Sequence, residues 1–148
     1  MNRWWTIRIG ALLLLVAQGA QAEGRLGVFD AWIRGAPPGA AMMAGYATLT
    51  NDGDEPLTVL TVQSDAFRMT SLHETIVNEG VVKMRDIHRL VIAPGQSVRL
   101  EPGGRHLMLM QPRQPVVIGE KVAIRFMLAD GQRIDTRFEV LAPDASPD

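Results

Sequence analysis

Apolar and polar residues alternate over short runs along most of the chain from residue 28 onwards. Successive side chains of a β-strand point to opposite faces, so this two-residue period indicates strands with one face on a core. Segments rich in glycine, proline and aspartate separate the runs, such as APPGA at 36–40 and EPGG at 101–104. The predicted strands are 28–34, 46–51, 57–63, 71–77, 81–87, 97–100, 107–111, 122–128 and 133–141. Many short strands with little helical periodicity predict an all-β single domain, a Greek-key β-sandwich or barrel.

The first 22 residues have a different pattern, with a basic start and an apolar centre. Arg3 and Arg8 precede or border the apolar run 9–17, and residues 20–22 read Ala-Gln-Ala, the form that signal peptidase cuts. The apolar run is short for a membrane span. We therefore expect a cleaved signal peptide over 1–22, with an uncleaved anchor as the alternative. The periplasmic domain would then cover 23–141, followed by a disordered tail over 142–148.

Charge and cysteine content exclude several classes of function. Two of the 15 basic residues lie in the expected signal, which leaves 13 basic against 16 acidic residues, a net charge of −3. This balance predicts no basic surface for binding nucleic acid. The mature sequence also has no basic amphipathic helix, so we expect no association with a membrane. The chain has no cysteine. Disulfides, zinc–thiolate sites, blue-copper electron transfer and a lipid anchor on cysteine are therefore not expected.

Two histidines and two methionines are the candidate ligands for a metal. His106 and Met108 are two residues apart in a predicted strand and so share one face. A loop of two residues (78–79) or of four (77–80) would place His73 directly opposite Met84, whereas a three-residue loop would place Glu74 there. Imidazole nitrogens and thioether sulfurs suit the soft ion Cu(I), while zinc rarely accepts thioethers and calcium and magnesium prefer oxygen.

The spacing of these four residues resembles that of a known family. His73 is followed after ten residues by Met84, after 21 more by His106, and after one more by Met108. This pattern, with DAWIR, GYATLTN, LHET and IAPGQSVRLEPGGRHLMLM around it, resembles the periplasmic copper chaperone family PCu(A)C.

The resemblance carries further expectations. It implies a cupredoxin-like fold that binds one Cu(I) through His73, Met84, His106 and Met108. It also implies that the protein supplies copper to the CuA centre of cytochrome c oxidase, either directly or through an assembly partner of the Sco type. Some members of the family have a C-terminal extension rich in histidine and methionine, which the tail PDASPD lacks, so we expect no second site of that kind.

The sequence leaves open whether the remaining histidine and methionines assist in binding copper. His88 would be a surface residue, and Met42 and Met43 would pack at a rim, although either could touch copper. Met69 is equally ambiguous, whereas Met110 falls on the face of His106 and Met108.

We expect no enzyme, since Ser71 lies near His73 without a third group to orient the histidine. An exported β-sandwich that binds other proteins, or a copper-buffering protein without a delivery role, is the alternative function.

Overall fold

The structure, a computed structural model, describes residues 25–147. These residues form ten β-strands and no helix: β1 (Leu26–Arg34), β2 (Met42–Asn51), β3 (Leu57–Gln63), β4 (Phe67–Asn78), β5 (Val81–Asp86), β6 (Leu90–Ile92), β7 (Ser97–Leu100), β8 (Arg105–Pro112), β9 (Lys121–Leu128) and β10 (Arg133–Leu141). Across 25–147, no helix has the length and apolar character needed to cross a membrane. The expected signal peptide lies outside the described residues.

The all-β prediction is confirmed, and each of the nine predicted ranges contains a strand. The strand missed is β6, which has three residues and is too short for alternation to reveal it. The largest change in length is in β4, which begins at Phe67 instead of residue 71. The disorder expected after residue 141 stays a prediction.

The strands follow one continuous path in the order β5-β4-β8-β2-β1-β10-β9-β3-β6, and β7 pairs with β2 beside this path. Only the β1–β10 pairing is parallel among the ladders of the described residues. Apolar side chains from both halves of the path share one buried cluster, including Leu107 of β8 and Phe126 of β9. The sheet must therefore fold over on itself, which produces a sandwich around a single core.

A buried asparagine at the end of β2 joins the loop after that strand to the end of β6. The Asn51 side chain is fully buried, and its amide donates hydrogen bonds to the carbonyls of Glu55 (2.7 Å) and Ile92 (3.0 Å). Its side-chain oxygen accepts one from the Gly53 N–H at 3.0 Å. Every polar atom of this side chain is thus paired, as burial requires.

The core determines which residues face outward. Leu107 and Leu109 are fully buried, so the alternating residues His106, Met108 and Met110 point to the opposite side of β8. Strand pairing extends that side over β2, β4 and β5. We call this surface, opposite Leu107 and Leu109, the outer face.

Candidate metal centre

His73 lies at the middle of the candidate site because β4 is paired on both sides. Across one ladder it is directly opposite His106 of β8, and across the other it is opposite Asp86 of β5. Directly paired residues in antiparallel strands project from the same face. The rings of His73 and His106 are nearly parallel, with centroids 6.0 Å apart and planes inclined by 18°. Two imidazoles therefore stand side by side on the outer face.

The two candidate methionines are diagonal neighbours of His73. Met108 pairs with Ser71, two residues before His73, and Met84 pairs with Thr75, two residues after it. Diagonal neighbours in a sheet lie about 7–8 Å apart, within reach of long side chains. The structure thus brings all four residues onto one face, with His73 adjacent to each of the others.

The register of the β4–β5 hairpin differs from the predicted one. The loop has two residues, an even number, but they are Glu79 and Gly80, so that Thr75 and not His73 is opposite Met84. Both loop residues have positive φ, 49° and 79°, as a type I′ turn requires, and glycine adopts this conformation readily. The prediction of direct pairing was wrong by two residues. A shift of two preserves the face, so Met84 remains on the side of His73.

Hydrogen bonding leaves one nitrogen of His106 available. The side chain is 6% exposed, and Nδ1 lies 3.1 Å from the carbonyl oxygen of Gly104. A carbonyl can only accept, so Nδ1 is the protonated nitrogen and Nε2 of the neutral ring has the lone pair. The same carbonyl accepts the backbone N–H of Thr75 at 3.1 Å, which joins β4 to the turn before β8.

His73 has a polar partner at each ring nitrogen. Nε2 lies 2.6 Å from Oδ1 of Asp86, and Nδ1 lies 3.2 Å from Oγ of Ser71. Because a carboxylate accepts hydrogen bonds, Nε2–H donates to Asp86, and the Nδ1 of the neutral ring accepts from the Ser71 hydroxyl. Nδ1 is therefore the nitrogen with the lone pair, and that lone pair points along β4 towards Ser71, the residue opposite Met108.

Sequence reasoning missed Asp86 and Ser71 as parts of this site. Both have the strand parity that would have revealed them, since Asp86 is two residues from Met84 and Ser71 two from His73. Asp86 also supplies the third group that the sequence analysis judged absent beside Ser71 and His73. The nitrogens are exchanged relative to a hydrolytic triad, in which the hydroxyl contacts Nε2 and the carboxylate contacts Nδ1. This exchange argues against serine hydrolase chemistry, and the expectation of no enzyme stays a prediction.

Charged residues join the three strands on the reverse of the outer face. Glu74 accepts a hydrogen bond from Nη2 of Arg85 in β5 at 2.7 Å, and its other carboxylate oxygen lies 3.5 Å from Nε of Arg105 in β8. Glu74 is directly paired with both arginines. These contacts favour the register that keeps β5, β4 and β8 aligned.

The remaining histidine and methionine residues lie in different environments. Met43 is 8% exposed and packs in the core opposite Leu109, so rim packing was wrong, and its side chain lies on the face of β2 away from His73 and His106. His88 is exposed in the segment between β5 and β6. Met42, Met69 and Met110 lie on the outer face. Within residues 25–147, no group of three or more histidine, cysteine, aspartate and glutamate side chains could hold a metal ion.

Sequence comparison assigns the chain to a family. The family model described as LpqE-like, a lipoprotein family, matches residues 26–140. The chain belongs to the LpqE-like family. A relative from Leifsonia xyli subsp. xyli that is named as a lipoprotein is 32% identical over 114 residues, which cover 76% of this chain and 67% of the relative. The uncharacterized protein RP573 of Rickettsia prowazekii is 31% identical over 88 residues, 59% of this chain and 49% of that protein.

Solved structures similar to this LpqE-like chain include PCuAC domains. The copper-bound PCuAC domain from PmoF2 has a TM-score of 0.68 at 20% identity, covering 81% of this chain and 95% of that domain. The solution structure of CuI-DR1885 from Deinococcus radiodurans has a TM-score of 0.64 at 26% identity, covering 88% and 87%. The predicted resemblance to PCu(A)C proteins and the cupredoxin-like β-sandwich are both confirmed.

Proposed function

We propose that this protein is a copper chaperone that binds one Cu(I) through His73, Met84, His106 and Met108. The observation that carries the proposal is the position of His73, which has His106 directly opposite and both methionines as diagonal neighbours. Two neutral imidazoles and two thioethers form a soft ligand set, which suits Cu(I) better than zinc, calcium or magnesium.

The hydrogen bonds around the histidines support metal binding at defined nitrogens. His106 would bind through Nε2, with its Nδ1–H held by the carbonyl of Gly104. His73 would bind through Nδ1 in place of the Ser71 hydroxyl, with its Nε2–H held by Asp86. A carboxylate on the distal nitrogen fixes the tautomer of a metal-binding histidine and makes the ring a stronger donor.

The exposure of the site suits release of the ion as well as capture. Met84 is 60% exposed in β5, a strand at the end of the sheet path, whereas His106 is buried. Thioethers are neutral ligands whose bonds to Cu(I) are readily exchanged, so an acceptor can replace Met84 first. Such an order of ligand exchange favours transfer over permanent storage.

Similarity to copper-loaded proteins supports the choice of metal. The structure from PmoF2 is described as copper-bound, and that of DR1885 as the CuI form. The lipoprotein family supports export, in agreement with the signal peptide expected over 1–22. We infer a periplasmic protein that supplies copper to the CuA centre of cytochrome c oxidase, directly or through a Sco-type protein.

Anaerobic loading followed by transfer tests the proposal. The purified protein should take one Cu(I) in competition with a chelator of known affinity, and binding no copper would overturn the proposal. The loaded protein should then be mixed with a soluble CuA domain, with and without a Sco-type protein, while the absorption of the CuA centre is followed. Copper that stays on this protein in every mixture would indicate buffering instead of delivery.

A further inference from the structure

Three methionines form a row across adjacent strands of the outer face. Met110 of β8 is directly opposite Met42 of β2 on one side and Met69 of β4 on the other. Neighbouring strands lie about 4.8 Å apart, so the two outer methionines flank the central one at that spacing. We call these three residues the methionine row.

Packing in the core does not account for the methionine row. Met42 is 55% exposed and Met69 is 54% exposed, and Met110 is half-buried. Methionine ordinarily fills gaps in cores, as Met43 does beside the row at 8% exposure. Exposed strand positions favour β-branched residues, so three methionines at adjoining positions call for a different explanation.

We propose that Met42, Met69 and Met110 form a second metal site, selective for a soft monovalent ion such as Cu(I). Three neutral thioethers provide a soft ligand set and offer little to hard ions. Methionine has three rotatable bonds, which lets the outer two side chains bend over the central one without any movement of the backbone. The exposure of the row leaves it open to an incoming ion.

The methionine row lies next to the proposed copper site. Met110 is two residues from Met108 on the same face of β8, a separation of about 7 Å along the strand. An ion bound to the methionine row would therefore lie close to His106 and Met108. The row does not depend on the proposed chaperone function, since its three ligands are separate from the four of that site.

Silver titration followed by NMR tests the second site. Ag(I) serves as the probe because it is soft and stays monovalent in air. With ¹³C-labelled methionine methyl groups, the signals of Met42, Met69 and Met110 should shift together and should be saturated once two ions per chain have been added, one for the row and one for the proposed copper site. The signals of Met84 and Met108 report the proposed copper site independently, and Met127 of β9 provides an unaffected reference.

Substitution separates the two sites. The triple variant M42L/M69L/M110L should bind one Ag(I) fewer per chain than the unaltered protein, while the buried M43L variant should bind the same number. Because Met42 and Met69 are mainly exposed, the triple variant should fold, and the Met127 signal checks this. Row signals that stay fixed up to two ions per chain, or that move at widely different ion concentrations, would overturn the proposal whatever Met84 and Met108 do.

Discussion

Asp86 contacts His73 from the neighbouring strand, with its Oδ1 atom 2.6 Å from Nε2 of the imidazole. The contact exists because the two-residue turn at 79–80 places Asp86 directly opposite His73. It assigns the proton to Nε2 and leaves Nδ1 with the lone pair. A carboxylate that was not identified in the sequence thus determines which nitrogen of the central histidine can bind a metal.

Asp86→Asn tests this assignment. The amide cannot provide the charge-assisted hydrogen bond of the carboxylate, so Nδ1 becomes a weaker donor. Cu(I) affinity should fall by about 10–100-fold, the usual effect of removing an outer partner of a metal-binding histidine. Competition titration against a Cu(I) chelator under anaerobic conditions would measure it.

The matched control is Asp135→Asn, which removes a carboxylate that pairs with Arg125 in β9. It should leave Cu(I) affinity unchanged. A rise in affinity for Asp86→Asn would show that copper takes Nε2 and that Asp86 competes with it.

The double variant M84L/M108L tests the thioethers. Leucine has nearly the same size and apolarity as methionine, so the fold should persist. Cu(I) affinity should nevertheless fall by about two orders of magnitude or more, because leucine has no donor atom. The M127L variant controls for loss of a methionine elsewhere in the sheet. Retained affinity in M84L/M108L would place the ligands at other residues.

Copper binding should weaken as the pH is lowered. Protons and Cu(I) compete for the imidazole lone pairs, whereas thioethers bind no proton, so the sign of the effect comes from His73 and His106. Below neutral pH, where free imidazoles bind protons, the dissociation constant should rise by about two decades per pH unit if both histidines bind, and about one decade if only one does. Anaerobic titrations at several pH values, corrected for protonation of the chelator, would measure the slope. A flat profile down to about pH 5 is incompatible with imidazole ligands.

Asn51→Ala tests the buried asparagine at the end of β2. The substitution removes three hydrogen bonds and leaves the carbonyls of Glu55 and Ile92 without this partner. The free energy of unfolding should drop by about 2–4 kcal/mol, as measured by urea denaturation. Exposed Asn78 in β4 provides the control, since its replacement by alanine should cost about 0.5 kcal/mol or less. A loss for Asn51→Ala as small as that of the control would contradict a stabilising role for these bonds.

The sequence by itself determined the strands and the faces of their side chains. Alternation within 105–112 places His106, Met108 and Met110 opposite Leu107 and Leu109, because the two-residue period of a strand is a local property. The same parity predicted that Met84 shares a face with His73, provided that the loop is even-numbered. The family resemblance rested on spacing along the chain, which is also readable without a structure.

Only the tertiary structure decided which residues are neighbours. His73 and His106 come from β4 and β8, which are far apart in the chain and meet only when the core is assembled. The turn centred on Glu79 and Gly80 shifted the hairpin by two residues, which exchanged Met84 for Asp86 opposite His73. Such a shift leaves every side chain on its face, so alternation cannot detect it. The methionine row likewise exists only because β2, β8 and β4 lie side by side, an order that long-range packing sets and local pattern does not encode.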